Sequence, residues 1–330
     1  METLRLTVAL SDYDHVRDLA SGAVRPQGIT LLPLTVRPHE MFYRFMTHGE
    51  WEVSEMSMGG YCSTVAAGDA GCIAIPVFPS RVFRHSSVYI RRGGRVKKPE
   101  DLKGKRVGVA EWGMTAVVYS RGWLTHQFGV ALKDVHWVQG GVNDPGRPEK
   151  IRPKLPKGVK LDVVADRSLS DLLLAGEIDA ILCAAPPAPV EAGDERMQPL
   201  FRDPRPAEKA YFGKTGVYPI MHTVVIRRDV YERDRWVALS LYRAFVEAKN
   251  RAVARIMHPG SAVPIPWSYI AAREAKRTFF GGGEYWPYGI EPNRPTLEAI
   301  LQNCFEQGVT RRRLAPEDLF AREVIDLARE

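Results

Sequence analysis

Apolar positions follow two rhythms along the chain. LRLTVAL (4–10), GITLLPLTV (28–36), WEVSEMS (51–57) and CIAIPVF (72–78) are short apolar or alternating runs that predict strands. Between them lie helical segments: a short one ending near Ala20, EMFYRFMTHG (40–49) closed by Gly49, and GGYCSTVAAG (59–68). SSVYIRR (86–92) predicts a further strand. After Gly93-Gly94 the alternation restarts. Strands are expected at KRVGVA (105–110), DVHWVQGG (134–141) and VKLDVVA (159–165), with a helix from Met114 to Phe128. A helix from Ser168 turns at Gly176 into the strand DAILCA (179–184). Residues 143–158 carry four prolines and predict a loop. TVVIRRDVY (223–231) reads as a strand with a turn, and residues 234–257 as one long helix. The remainder is helical around a Gly/aromatic loop at 281–289. Strand–helix alternation of this kind predicts an α/β layered fold.

At 330 residues the chain is long enough for two domains. Its net charge of +7 favours anionic partners, but the 46 Lys and Arg are dispersed rather than massed. With no zinc-finger spacing and no RNA-binding signature, a small anionic ligand is expected and nucleic acid is not. No apolar stretch approaches a membrane span of ~18 residues. The opening METLRLTVAL lacks the features of a signal peptide. Cys62, Cys72, Cys183 and Cys304 form no CxxC pair, which predicts free thiols in a reducing cytosol and hence a cytoplasmic protein. No phosphate-binding glycine pattern, HExxH or GxSxG occurs, and no spacing asks for a metal.

PSRVFRH (79–85) follows an apolar strand directly and concentrates Arg81, Arg84 and His85. Guanidinium groups at the end of a buried strand suit a carboxylate, which Arg can grip bidentately; a solvated basic turn is the alternative. Asp12, Tyr13 and Asp14 occupy the loop after the first strand, a usual ligand edge of open α/β sheets.

DLKGKRVGVAE (101–111) and LLLAGEIDAIL (172–182) resemble the second lobe of type II periplasmic-binding-protein folds. Seven ordered strings extend the likeness: VRPQGITL (24–31), EVSEMSMGGY (52–61), FPSRVFRHSSVYI (78–90), GVAEWGMTA (108–116), PGRPEK (145–150), YPIMHTVVIRRDVY (218–231) and YWPYGIEPNR (285–294). Together they resemble the 4,5-dihydroxyphthalate decarboxylase family across nearly the whole chain. The resemblance implies an α/β, two-lobed fold with the ligand in the interlobe cleft. Residues 1–92 with 218–330 would form one lobe and 93–217 the other, with crossings near 90–95 and 205–220.

The resemblance also implies a reaction: loss of one carboxylate from an aromatic dicarboxylic acid, without cofactor or metal. In that setting His85 and His222 are expected as the acid/base pair. Arg81 and Arg84 would anchor carboxylates, with Arg147 a third from the opposite lobe. Glu111 either caps a helix or orients a hydroxyl and takes its proton, and Thr115 offers donors at that helix start. Asp12 and Ser57 are further substrate contacts, whereas Glu55 is expected to pair with an arginine; the 281–288 loop suits either a lid or an aromatic wall in a packed interface. One departure stands out: relatives often carry an Arg in the stretch where this chain has CAAPPAP (183–189). Two other readings stay open, an enzyme similar to the menaquinone-pathway members of the same fold and a solute-binding protein. Homo-oligomerisation is also open.

Overall fold

The computed structural model describes residues 3–260 and 263–325. Its strands are β1 (Leu4–Leu10), β2 (Ile29–Thr35), β3 (Val53–Ser57), β4 (Cys72–Ile75), β5 (Val88–Arg91), β6 (Arg106–Val109), β7 (His136–Gln139), β8 (Lys160–Val163), β9 (Ala180–Leu182), β10 (Met197–Pro199) and β11 (His222–Arg227). They form two sheets, ordered β2-β1-β3-β11-β4 and β10-β5-β9-β6-β7-β8. In the first, β2, β1 and β3 run parallel while β11 is antiparallel to both its neighbours. In the second, β9, β6, β7 and β8 are parallel and β5 is antiparallel to β9. Each sheet and its helices make one lobe, as a doubly covered α/β layer requires.

The chain passes between lobes twice, at residues 76–87 and 200–221. These crossovers pair with each other. Val82 N donates to Pro219 O at 3.1 Å, Met221 N to Ser80 O at 2.8 Å, and Arg81 bridges Ile220. The first crossing therefore occupies PVFPSRVFRHSS, not the expected 90–95. SSVYIRR, expected in the first lobe, is hydrogen-bonded into the second sheet as β5. Gly93-Gly94 only turns the chain out of β5, with Gly94 N on Arg91 O. CIAIPVF likewise stops as a strand at Ile75, because Pro76 has no N–H for the ladder.

Two helices position the cleft. Pro38–His48 starts on proline, where the missing N–H costs nothing, and ends on Gly49 in the left-handed region. Thr115–Phe128 is buried on all sides through its first ten residues and runs through the middle of the molecule. The helix Arg205–Thr215 and strand β10 carry no apolar rhythm and were not anticipated. All four cysteines are buried and unbridged. No helix among the described residues is long and apolar enough to cross a membrane.

Candidate active site

A cleft of about 430 Å³ opens between the lobes, within the range of small-molecule sites. The first lobe contributes Tyr13, His39, Phe42, Met46, Ser57 and His222 to its wall. The second contributes Glu111, Thr115, Arg147, Glu149 and Lys150, and the crossovers bring Arg84 and Met221.

β11 lies antiparallel to β3 with His222 opposite Ser57 and Val224 opposite Glu55. That register makes His222 and Glu55 diagonal neighbours on one sheet face, within side-chain reach. His222 Nδ1 lies 2.5 Å from Glu55 Oε1. Tyr13 donates its hydroxyl to the same oxygen at 2.7 Å, and Ser11 N donates to Oε2 at 2.9 Å. Glu55 is fully buried. Burial alone would raise its carboxyl, but His222, Tyr13 and Ser11 outweigh that and hold it below the usual carboxylate range. Burial and the facing carboxylate push the Tyr13 phenol well up, so it stays protonated as a donor. With Nδ1 committed to Glu55, Nε2 is the nitrogen His222 has left for the cleft.

The opposite wall is a charge cluster. Glu111, buried at 4% exposure, accepts from Arg147 Nε at 2.6 Å and from Lys150 Nζ at 2.6 and 2.8 Å. Glu149 accepts from the backbone N–H groups of Trp112 and Gly113, just before the helix start at Thr115. Burial and Glu111 raise the Glu149 carboxyl, and burial lowers the Lys150 ammonium despite its partner. His39 crosses from the first lobe, with Nδ1 accepting from Arg147 Nη2 at 2.9 Å and Lys150 Nζ at 3.0 Å. Burial, Lys150 and Arg147 together lower its pKa, which keeps the ring neutral and the nitrogen an acceptor.

Arg84 is 7% exposed and held by the crossover itself. Nε donates to Met221 Sδ at 3.1 Å, and Nη1 to Ala184 O at 2.8 Å. Burial lowers its pKa to about 10, so it remains a cation at neutral pH. Ala184 and Ala185 of the CAAPPAP segment line the cleft beside it, where no second arginine stands.

Of the expected site residues, the cleft gathers His222, Glu111, Arg84, Arg147, Ser57 and Thr115. The Thr115 hydroxyl is occupied, meeting Ser57 Oγ at 2.9 Å and accepting from Gly59 N at 2.9 Å across the lobes. Glu55 pairs with His222 rather than with an arginine. Arg81 lies outside this cleft. It faces the back of the hinge, with Nη1 on Asn293 Oδ1 at 2.8 Å, Nη2 on Tyr218 O at 3.0 Å and its guanidinium over the Tyr218 ring. His85 is also outside, 1% exposed and stacked on Trp123 between Phe201 and Tyr211. Asp12 is exposed and Tyr13 takes the inward place beside it. The 281–288 loop does not cover the cleft. Trp286 Nε1 donates to Phe78 O at 3.0 Å, and Lys249 pairs with Glu284, so the loop packs behind the hinge. Sequence reasoning missed His39, Glu149 and Lys150 as cleft residues. Among the described residues, no group of three or more His, Cys, Asp or Glu is placed to hold a metal ion.

No protein-family model matches the chain. Among solved structures it is similar to the periplasmic aliphatic sulphonate binding protein SsuA from Escherichia coli, with a TM-score of 0.54, 13% identity, and 97% and 92% of the two chains covered. A mutant of the desulfurization enzyme DszB in complex with biphenyl-2-sulfinic acid superposes over 100% of both chains, with a TM-score of 0.53 and 16% identity. These likenesses show the periplasmic-binding-protein fold, shared by binders and enzymes alike. Sequence relatives are nearer. A 4,5-dihydroxyphthalate decarboxylase from Pseudomonas putida is 38% identical over 213 residues, 64% of this chain and 83% of that protein. One from Comamonas testosteroni is 37% identical over 322 residues, 97% of each sequence. With that identity sustained from end to end, the chain belongs to the 4,5-dihydroxyphthalate decarboxylase family.

Proposed function

We propose that this protein decarboxylates 4,5-dihydroxyphthalate to protocatechuate and CO2 by acid/base catalysis in the interlobe cleft. The observation that carries the proposal is the placement of the Glu55–His222 pair on one wall and the Arg147–Lys150 cluster on the other. In this substrate each carboxylate is para to a hydroxyl, so the two reacting ends lie on opposite sides of the ring. A para relation spans a cleft from wall to wall.

The hydroxyl end meets Arg147 and Lys150 and gives its proton to the Glu111 carboxylate between them, while the two cations favour the phenolate and push electron density toward the para carbon. His222, protonated at Nε2 and held at Nδ1 by Glu55, delivers a proton to that carbon. The C–C bond then breaks, the bonding pair returns to the ring, CO2 leaves neutral, and the hydroxyl recovers its proton. The net change is replacement of CO2 by one proton, which His222 regains from solvent. Arg84 supplies the fixed cation for a substrate carboxylate. The buried, unbridged thiols fit a reducing compartment, and a cytoplasmic location is part of this proposal.

The test is CO2 release from purified protein supplied with 4,5-dihydroxyphthalate, with protocatechuate followed by absorbance. Stoichiometric CO2 and protocatechuate support the reading. Thermal stabilisation by the compound without turnover would make the protein a binder and overturn it.

A further inference from the structure

Resting on that reading and deepening it, we infer that Arg84 selects the carboxylate that stays, and so restricts the enzyme to one decarboxylation per substrate. Protocatechuate still carries a carboxylate para to a hydroxyl. The chemistry that removes the first carboxylate therefore does not forbid loss of the second, and the restriction must come from how the ring is held.

The charges along the cleft show how. On the second lobe the two cations Arg147 and Lys150 face two carboxylates, Glu111 and Glu149. On the first lobe His222 is matched by Glu55. Arg84 is the cleft-lining arginine or lysine without a carboxylate partner among the described residues: its hydrogen bonds go to the Met221 sulfur, the Ser87 hydroxyl and the Ala184 carbonyl. All of these use Nε and Nη1. Nη2 makes no hydrogen bond among the described residues, and Arg84 lines the cleft. A dicarboxylate thus meets one unbalanced guanidinium, and only one of its two groups can take it.

The guanidinium is also tied to the segment that carries the proton donor. It packs on Met221, the residue preceding His222. Adjacent carboxylates on one ring fit this arrangement, one on Arg84 and its neighbour's ring carbon at His222. Near His222 the wall is apolar, with Phe42 at 4.8 Å between ring centroids and Met46 beside it. Once His222 has given up its proton, a carboxylate there is poorly solvated, and its conversion to neutral CO2 relieves that cost. The carboxylate on Arg84 has the opposite situation. Its loss would strand a buried cation, so a ring whose only carboxylate sits there is held but not turned over.

Three measurements on the intact protein decide the matter. Wild type should release one CO2 per substrate with no catechol, and protocatechuate should inhibit competitively. Arg84→Met should raise both the substrate KM and the protocatechuate inhibition constant by about tenfold to a hundredfold, with Arg84→Lys restoring part of both. Catechol formation by wild type would overturn the inference. So would an inhibition constant unchanged in Arg84→Met while kcat and melting temperature fall, since that marks a purely structural arginine. A larger rise of both constants in Arg147→Met would move the anchor to the other wall and overturn it equally. If Arg84→Met does not fold, Arg84→Lys and the wild-type product analysis still decide. Absence of any CO2 from wild type would overturn the decarboxylase reading itself, an outcome distinct from all of these.

Discussion

His222 and Tyr13 converge on one oxygen of Glu55, the imidazole Nδ1 at 2.5 Å and the phenol at 2.7 Å. A buried carboxylate with two such partners and a backbone N–H is satisfied without an arginine or a lysine. It fixes the ring orientation and the tautomer of the histidine, leaving Nε2 as the working atom.

Because the pair acts as a unit, Glu55→Gln should lower kcat by about a hundredfold or more, with KM little changed. His222→Ala should cost at least as much. The double variant should be no worse than His222→Ala, measured as steady-state kcat on the same substrate. Multiplicative losses in the double variant would show that the two residues act independently.

Arg81 should behave as a hinge residue rather than a substrate contact. Arg81→Met strands Asn293 Oδ1 and Tyr218 O and removes a cation from the Tyr218 ring, at a cost of about 1–3 kcal/mol. Denaturant melts should report that loss. A tenfold or greater rise in KM with stability intact would place Arg81 in substrate binding after all.

His85 makes stability depend on pH. Burial among Trp123, Phe201 and Tyr211 lowers its pKa from 6.5 to about 4. The unfolded chain protonates this histidine below about pH 6.5, while the folded chain resists until about pH 4. Stability from this group is therefore complete above pH 6.5 and is lost as pH falls through that window, by roughly 3 kcal/mol in all. His85→Phe keeps an aromatic stack on Trp123 and removes the titration. Its unfolding free energy should fall less steeply than that of wild type between pH 7 and 4; parallel slopes would refute the assignment.

The lobes are in close contact at Gly59. A β-carbon there would lie 2.7 Å from Gly113 O and 3.3 Å from Thr115 Oγ1, both on the second lobe. Backbone cannot yield as a side-chain tip can, so Gly59→Ala must wedge the cleft open. A loss in kcat/KM of about tenfold or more is expected, together with a larger radius of gyration by small-angle scattering. Full activity would mean that catalysis does not need this approach.

Much of the fold was legible because it rests on local patterns. Strands β1 to β9 and the helix Thr115–Phe128 follow from apolar rhythm and glycine stops. The lobe boundary was not legible: the pairing of Ser80–Val82 with Pro219–Met221 joins segments far apart in sequence, and no local signal announces it. The site divided in the same way. His222, Glu111, Arg84 and Arg147 stood out by chemical type. Glu55 was misassigned, since only the register of β3 against β11 puts it beside His222 instead of an arginine. A glutamate inside an otherwise buried strand was the available clue that it held an internal partner. His85 and Arg81 stood out for the same chemical reasons as Arg84, yet neighbouring residues of an irregular crossover point in different directions. Only the three-dimensional path separates them.

Arg84 sits on a crossover between the two walls, tied to the second lobe only through a backbone carbonyl, that of Ala184. It rides on one crossover and leans through Nε on Met221 of the other, so the cation that captures an anion is fixed to the hinge itself. The two walls can then be exchanged residue by residue without disturbing capture. Such a scaffold separates holding from reacting. Swapping the Glu55–His222 wall for an inert one leaves a receptor, and rebuilding it leaves a different enzyme on the same grip.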